Sequence, residues 1–260
     1  MTGDNVIHAD RFGNGAPLLV LVHGQGANGD VWTGLRRFIA RDWHGACLVP
    51  DLRGHGRSPD RPPYAYGTYA ADIASLIPVG EEIFLIGHSL GGAVSLMLAT
   101  GWFGVRVRGV FAFGIKVNWS DDELARRRQF AAAPVRWFDR REDAIERYLK
   151  VSGQFGLVDA ASPAASSGIA EENGRFRLAA DPGISGTDDP PDIRPILAAV
   201  TAPVALAVGE KDTMVPLTDA RGLDPRAAVI SGAGHNAHVE NPEGLWNVIR
   251  NTTKLGDIGR

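Results

Sequence analysis

The fold of this chain is decided by one stretch, Ile83-Phe-Leu-Ile-Gly-His-Ser-Leu-Gly-Gly-Ala-Val94. Its first four residues are apolar and predict a buried strand, whereas the residues after the two adjacent glycines favour a helix. Ser89 lies between the two elements, with Gly87 and Gly91 two residues away on either side. A strand that turns directly into a helix leaves no room for side chains at those positions. The turn would place the Ser89 hydroxyl above a helix N-terminus, where N–H groups stabilise an anion.

The composition is that of an ordinary globular protein. Of the 260 residues 44% are hydrophobic and 22% charged, and the formal net charge of −3 leaves no basic surface for a nucleic acid. No apolar run is long enough to span a bilayer, and residues 1–10 lack the pattern of a signal peptide. The single cysteine, Cys47, lies in an apolar run and fits a reducing compartment. We therefore expect a cytoplasmic protein that binds neither nucleic acid nor membrane.

Strand-like and helix-like segments alternate along most of the chain. Buried strands are predicted at residues 18–22, 46–49, 83–86, 108–113, 204–208 and 227–230, with an edge strand in residues 6–11. Helices are predicted near residues 31–40, 69–77 and 93–100, and a last helix begins with Asn241 as its N-cap and Pro242 as its first residue. This alternation predicts an α/β fold with a mostly parallel central sheet and helices on both faces.

The pattern changes between residues 116 and 191. Ser120 and Glu123 form a capping box ahead of one predicted helix, and Asp139 and Glu142 predict a second box before a helix at residues 144–151. Residues 159–191 are rich in Gly, Ala, Ser, Pro and Asp and show little periodicity. We predict that residues 116–191 form a cap inserted into a core of residues 1–115 and 192–260.

Three side chains occur in an order that resembles the α/β-hydrolase family. Gly87-x-Ser89-x-Gly91 is similar to the nucleophile elbow of that family. Asp212 follows the predicted strand at residues 204–208, and His235 follows the glycine-rich exit of the last strand, where the family carries its acid and its base. The resemblance implies an α/β-hydrolase fold with a helical cap. It also implies that Ser89 is the nucleophile, His235 the base and Asp212 the acid that orients the base.

Neighbouring groups compete for two of these roles. His238 stands three residues beyond His235 and is the alternative base. The carboxylates that compete with Asp212 are Glu210, Asp224 and Glu240. We favour His235 because the family places its base directly after the glycines.

The resemblance also assigns an oxyanion hole and part of a substrate pocket. The two backbone N–H donors would be those of Leu90, directly after the nucleophile, and Gln25, after the His23-Gly24 pair. Lys116 could hold a substrate anion or form a surface salt bridge, and the run at residues 126–128 is interpreted as a solvated helix face. The pocket residues expected from sequence are His88, Lys116, Trp119 and Trp137.

Residues 24–29 also match the G-x-G-x-x-G pattern of dinucleotide sites, with Asp51 after the next strand. The helix that follows is predicted to begin only near Asp30, too late for its N-terminus to meet a pyrophosphate. No His, Cys or carboxylate cluster has metal-ligand spacing. We therefore expect neither a cofactor nor a metal.

The resemblance implies a serine hydrolase that cleaves carboxylic esters or lactones of small, largely apolar molecules through an acyl-enzyme. Carbon–carbon bond hydrolysis of a diketone-like compound is one alternative, although such family members often carry Asn where His88 stands. A receptor that binds a ligand without turning it over is another. The sequence leaves the physiological substrate and the oligomeric state open.

Overall fold

The computed structural model describes residues 6–186 and 189–253. Its strands are β1 (Ala9–Phe12), β2 (Leu18–Val22), β3 (Cys47–Pro50), β4 (Glu82–His88), β5 (Arg106–Phe113), β6 (Ile169–Glu172), β7 (Arg175–Leu178), β8 (Val204–Gly209) and β9 (Ala228–Ile230). Seven of them form one sheet in the order β1-β3-β2-β4-β5-β8-β9. β1 pairs antiparallel with β3, and the other neighbours in this sheet are parallel. The predicted mostly parallel sheet with an edge strand is confirmed.

Helices cover both faces of the sheet, as predicted. They are α1 (Thr33–Asp42), α2 (Tyr66–Ser75), α3 (Leu90–Leu98), α4 (Asp121–Ala131), α5 (Arg141–Val151), α6 (Pro163–Ser167), α7 (Ile193–Ala199), α8 (Leu217–Leu223), α9 (Ala237–Glu240) and α10 (Pro242–Thr252). α1 and α10 share a core with Leu19 and Leu21, whereas α2, α3 and α7 share the opposite core with Leu18, Val20 and Val22. Because both faces of β2 are buried, every residue in it is apolar.

The predicted helix starts are correct where a side chain caps the helix locally. Asn241 accepts a hydrogen bond from the Gly244 N–H at the start of α10, and Pro242 occupies the first helical position. The Ser120 and Glu123 side chains form the predicted capping box of α4.

Two features of the segment between β5 and α7 differ from the sequence prediction. The second capping box is wrong: Arg140 is the N-cap of α5, and Asp139 pairs instead with Arg175 at 3.1 Å. The segment also contains the hairpin β6–β7, which was not predicted. Asn173 and Gly174 form its turn with φ angles of 51° and 75°. An Asn-Gly pair is the usual signal for such a turn, so the sequence does contain the clue.

The segment between β5 and α7 lies over the carboxyl ends of the strands and is bonded to the loops there. The Asn28 side chain, in the loop after β2, donates to the Tyr148 hydroxyl and to the Ala164 carbonyl, each at 2.9 Å. After β9, the Asn236 side chain donates to the Gly153 carbonyl at 2.9 Å. These buried polar contacts fix the segment above the end of the sheet that carries Ser89.

The two glycines that flank Ser89 are required by close backbone contacts. A Cβ atom at Gly87 would overlap the Gly91 carbonyl oxygen, and a Cβ atom at Gly91 would overlap the Val22 carbonyl oxygen. Ser89 itself has φ 51° and ψ −117°, a strained conformation for a residue with a side chain. The sharp strand-to-helix turn predicted from the sequence is confirmed.

We expect Gly91→Ala to destabilise the fold, because the added methyl group would press on the Val22 carbonyl and force the backbone to move. The expected loss in the free energy of unfolding is about 2 kcal/mol or more, measured by urea unfolding. Gly222→Ala in α8 is the matched control, since nothing lies within 4 Å of a Cβ atom there. It should leave stability unchanged or raise it by up to about 1 kcal/mol. Equal stability of the two variants would contradict the packing argument.

Candidate active site

Ser89 lies between the end of β4 and the first residue of α3. Its N–H donates to the carbonyl of Phe113, the last residue of β5, at 2.9 Å. Within the described chain, the backbone N–H groups of Leu90 and Gln25 donate to no other residue. The first N–H groups of a helix lack partners inside the helix, so the Leu90 N–H is available to an anion.

His235 and Asp212 are joined by a hydrogen bond. The two side chains meet at 2.8 Å between His235 Nδ1 and Asp212 Oδ2, and the aspartate side chain is only 1% exposed. Asp212 Oδ1 also accepts from the N–H groups of Met214 and Val215, at 2.8 and 3.0 Å. Burial raises the pKa of Asp212, but the hydrogen bonds from His235 and from these N–H groups outweigh it and hold the pKa below its usual value. The carboxylate is therefore ionised and orients the imidazole with its Nδ1 proton toward it.

His235 lies beside the serine turn. A Cβ atom at Gly114 would lie 3.2 Å from His235 Cε1, and Gly114 follows the residue whose carbonyl binds the Ser89 N–H. The Ser89 hydroxyl makes no hydrogen bond to any residue that the structure describes. Hydrogen bonds between a nucleophile and its base are often long without substrate, so this geometry is compatible with a serine–histidine pair.

The competing groups are engaged elsewhere. Glu210 accepts from Ser231 and from the Gly232 N–H, Asp224 pairs with Arg226 at 2.9 Å, and Glu240 accepts from the N–H groups of Gly234 and Asn236. His238 is 1% exposed, and its ring packs 4.8 Å from the Trp32 ring centroid. Of these groups, His235 and Asp212 are the two that bond to each other, and His235 lies against Gly114 next to the serine turn.

His23 fixes the loop that carries Gln25. Its Nε2 accepts from the Leu52 N–H at 2.9 Å, so the proton is on Nδ1, which donates to the Gly24 carbonyl at 2.8 Å. Burial lowers the pKa of His23, which keeps the ring neutral. The hydrogen bond to the Gly24 carbonyl holds the peptide group to which the Gln25 N–H belongs.

The sequence predicted His88 as a pocket residue, but His88 lies beneath the turn and is not among the residues that line the cavity of Ser89. It is 3% exposed, its ring packs against Phe113, and its Nε2–H donates to the His235 carbonyl at 2.9 Å. Burial, followed by the neighbouring His238, lowers the pKa of His88 well below its ordinary value. The neutral ring supports the backbone of His235 from below.

A cavity of about 70 Å³ contains Ser89. Of the residues predicted to form the substrate pocket, Lys116 and Trp119 line this cavity, whereas Trp137 does not. The two oxyanion candidates, Gln25 and Leu90, line it as well. The other lining residues are Tyr64, Tyr66, Tyr69, Ala93, Ile115, Arg127, Ile184 and Met214.

Lys116 is both a cavity residue and a salt-bridge partner. Its Nζ lies 2.5 Å from a carboxylate oxygen of Glu123, and this hydrogen bond lowers the pKa of Glu123 to about 2. Lys116 therefore forms the salt bridge that was one alternative from sequence, and its charge is balanced within the protein.

Arg127 is a cavity residue that the sequence interpretation missed. Its Nε is buried without a hydrogen-bond partner, and its Nη1 donates only to the neutral Gln25 side chain at 3.3 Å. The guanidinium lies 4.8 Å from the Trp119 ring centroid, and burial lowers its pKa. Asp189, which pairs with Arg128, acts on Arg127 only through space, and no described carboxylate forms a direct ion pair with it, so Arg127 brings a positive charge without a bonded counterion to the cavity of Ser89. The interpretation of residues 126–128 as a solvated face is wrong at this position.

The residues that match the dinucleotide pattern have a structural role instead. Gly29 opens a 3₁₀ turn, α1 begins only at Thr33, and the Gly29 N–H donates to Asp51 at 2.6 Å. Asp51 also accepts from Arg57 at 2.8 Å and is fully buried, so its carboxylate is not free for a ribose.

Over the part of the chain described, no group of three His, Cys, Asp or Glu side chains is placed to hold a metal ion. Between residues 6 and 253, leaving aside 187 and 188, no helix is long and apolar enough to cross a membrane.

We expect His238→Phe to make the protein less sensitive to acid. Burial, followed by His235 and His23, lowers the pKa of His238 to about 3. The folded state therefore binds fewer protons than the unfolded chain below pH ~6.5, so stability is lost as the pH falls below that value. From pH 7 to 5 this group alone costs about 2 kcal/mol by the same linkage. The variant keeps a ring at this site, and its loss of unfolding free energy between those pH values should be smaller by that amount.

His44→Phe, at an exposed histidine, is the control for the exchange of histidine for phenylalanine itself. Urea unfolding at pH 7 and pH 5 measures both variants. Should His238→Phe lose as much stability as the wild type over this interval, His238 does not stay neutral in the fold.

Comparisons with known proteins agree with this geometry. The family model described as "Alpha/beta hydrolase family" matches residues 19–248. The 2-succinyl-6-hydroxy-2,4-cyclohexadiene-1-carboxylate synthase of Salmonella paratyphi C is 31% identical over 96% of this chain and 100% of its own. The solved structure of E-2-(acetamidomethylene)succinate hydrolase is similar with a TM-score of 0.78 and 25% identity, over 95% of this chain and 94% of that one.

An esterase from Mycobacterium tuberculosis shares the fold, with a TM-score of 0.72 and 21% identity over 96% of this chain and 88% of its own. The family model covers most of the chain, and the synthase aligns along its whole length. By these matches and by its fold, the chain belongs to the alpha/beta hydrolase family.

Proposed function

We propose that this protein is a serine hydrolase that cleaves a small carboxylic ester or lactone through an acyl-enzyme. The observation that carries the proposal is the hydrogen bond between Asp212 and His235 beside the Ser89 turn. Because Asp212 accepts the Nδ1 proton, Nε2 of His235 is bare and can take the proton of the Ser89 hydroxyl. Ser89 Oγ then attacks the acyl carbonyl.

The charges that develop during this reaction have partners in place. The tetrahedral intermediate carries a negative charge on oxygen, and the N–H groups of Gln25 and Leu90 are unused at the same cavity. Asp212 stabilises the imidazolium that forms on His235. The imidazolium gives its proton to the leaving alcohol, and a water activated by the same histidine releases the acid.

A carboxylate on the substrate agrees better with the cavity than the largely apolar molecule predicted from sequence. Lys116 is balanced by Glu123, whereas the half-buried Arg127 forms no direct ion pair with any described carboxylate. An unpaired buried charge is costly, and a substrate carboxylate would offset that cost. The names of two relatives also describe carboxylates, a succinyl-cyclohexadiene carboxylate and a substituted succinate. We therefore propose an ester or lactone that bears an acid group.

Carbon–carbon bond hydrolysis of a diketone-like compound is the second candidate. It is favoured by the synthase among the relatives, whose name is not that of an esterase. A panel of esters, lactones and diketones, each with and without a carboxylate, separates the two by the product released. Tight binding without turnover of any of them would favour a receptor.

Ser89→Ala should lower kcat for ester hydrolysis by about 10³-fold or more, and a fluorophosphonate should label Ser89, as read by mass spectrometry. Asp212→Asn should lower kcat by about 10⁴-fold, because an amide cannot hold the Nδ1 proton of His235. Glu210→Gln is the control, since the Glu210 carboxylate accepts hydrogen bonds from the Ser231 hydroxyl and the Gly232 N–H and is not bonded to His235. Its kcat should stay within about twofold of wild type. Full activity in Ser89→Ala would refute the proposed mechanism.

Arg127→Gln should lower kcat/KM for 4-nitrophenyl hydrogen succinate by about tenfold to a hundredfold, the range expected for one charge-assisted pair. The neutral 4-nitrophenyl butyrate, of the same length, should change far less. Arg126→Gln is the matched control, because Arg126 is exposed on the same helix and bonds only to a backbone carbonyl. An equal loss on both esters would show that Arg127 shapes the cavity without binding a carboxylate.

A further inference from the structure

The cavity that holds Ser89 is too small to enclose a whole substrate. Its volume is about 70 Å³, whereas small-molecule sites in proteins usually measure about 300–1,000 Å³. A second cavity of about 780 Å³ lies beside it, between the ends of α4 and α5 and the residues that follow β7. The proposed reaction does not use this second cavity.

The two cavities share a wall. Gln25 and Ile184 line both of them, and Ser185 lines the larger one. The Gln25 side chain is held by two long hydrogen bonds, one from Arg127 on the side of Ser89 and one to Ser185 on the other, each at 3.3 Å. Bonds of this length are weak, so a substrate that crosses the wall displaces little.

The larger cavity exposes apolar side chains that the fold leaves uncovered. Phe130 at the end of α4 is 54% exposed, Val135 is 43% exposed, and Val151 at the end of α5 is 48% exposed. Leu178 and Ile184 complete the apolar lining. Large apolar side chains that line a concave surface are typical of a binding site.

The charges of the larger cavity favour an anion. Lys150 is paired with Glu146, and the single lining carboxylate, Asp181, accepts from the Gly183 N–H at 2.6 Å. Arg136 and Arg147 line the cavity as well, and neither forms an ion pair within the described residues. Arg147 is partly buried, so its guanidinium is the better placed of the two to bind an anion.

We propose that the two cavities form one substrate site, in which an apolar arm ending in an anionic group passes Gln25 and binds to Arg147. This rests on the proposed function for the reacting end, because that end of the substrate lies at Ser89. The larger cavity then selects substrates by the length of the arm and by its terminal charge. An amphipathic acid that fills it should compete with short esters for the enzyme.

Octanoate and octan-1-ol test the proposal as inhibitors of 4-nitrophenyl acetate hydrolysis. Octanoate should inhibit competitively, with a Ki at least about fivefold below that of octan-1-ol. Arg147→Gln should raise the Ki of octanoate about fivefold to tenfold and remove the preference for the acid, as expected when one exposed charge pair is lost. Ile184→Trp, which narrows the passage between the two cavities, should weaken inhibition by both compounds.

Arg140→Gln is the matched control, because Arg140 is an exposed cation beside the same helix and pairs with Glu142. It should leave both Ki values as in the wild type. Non-competitive inhibition by octanoate, or a Ki that depends on Arg127 and not on Arg147, would overturn the proposal. If no ester is turned over, the proposed function fails, and calorimetric binding of octanoate to wild type and Arg147→Gln still decides whether the larger cavity binds an acid.

Discussion

The site depends on the absence of a side chain at Gly91. There the first turn of α3 packs directly on the carbonyl oxygen of Val22, at the end of β2. This contact brings the loop with Gln25 to the N-terminus of α3, so that Gln25 and Leu90 line one cavity. The cost is the positive φ of Ser89, a strain of about 1–3 kcal/mol that the packed sheet can hold.

A second close contact holds the proposed acid and base together. A Cβ atom at Gly209, the last residue of β8, would overlap the carbonyl oxygen of Gly234. Asp212 follows the first glycine by three residues and His235 follows the second directly, so the contact sets the distance between their loops. The His88 ring then fixes the His235 backbone through one hydrogen bond. The proposed catalytic groups are thus positioned by backbone packing and by buried neutral histidines. Neither of these depends on which substrate is bound.

The sequence was sufficient for features that depend on local spacing. The strand-to-helix turn at Ser89 and the cap at Asn241 were predicted correctly, because neighbours along the chain determine them. Asp139 was assigned to the wrong role because its partner, Arg175, is distant in sequence. The hairpin turn at residues 173–174 was missed although its Asn-Gly signal is local, since the surrounding composition pointed to a loop.

Arg127 shows why the specificity of the site was harder to predict than its chemistry. Glu123, Arg127 and Phe130 are spaced four and three residues apart, so they lie on one face of α4. Along that face the structure places the partner of Lys116, then the cavity of Ser89, then the larger cavity. From sequence, residues 126–128 of this helix were interpreted as a solvated face, and none of its residues is buried.

A helix without buried residues is held by polar contacts at its ends and sides, so its face can change at little cost to stability. The elements around Ser89 lack this freedom, because their backbones are in contact. The fold therefore separates two tasks physically. The sheet and its glycines fix the reacting groups, whereas substitutions on the face of α4 that lines the two cavities can change which charge and which shape the substrate must carry.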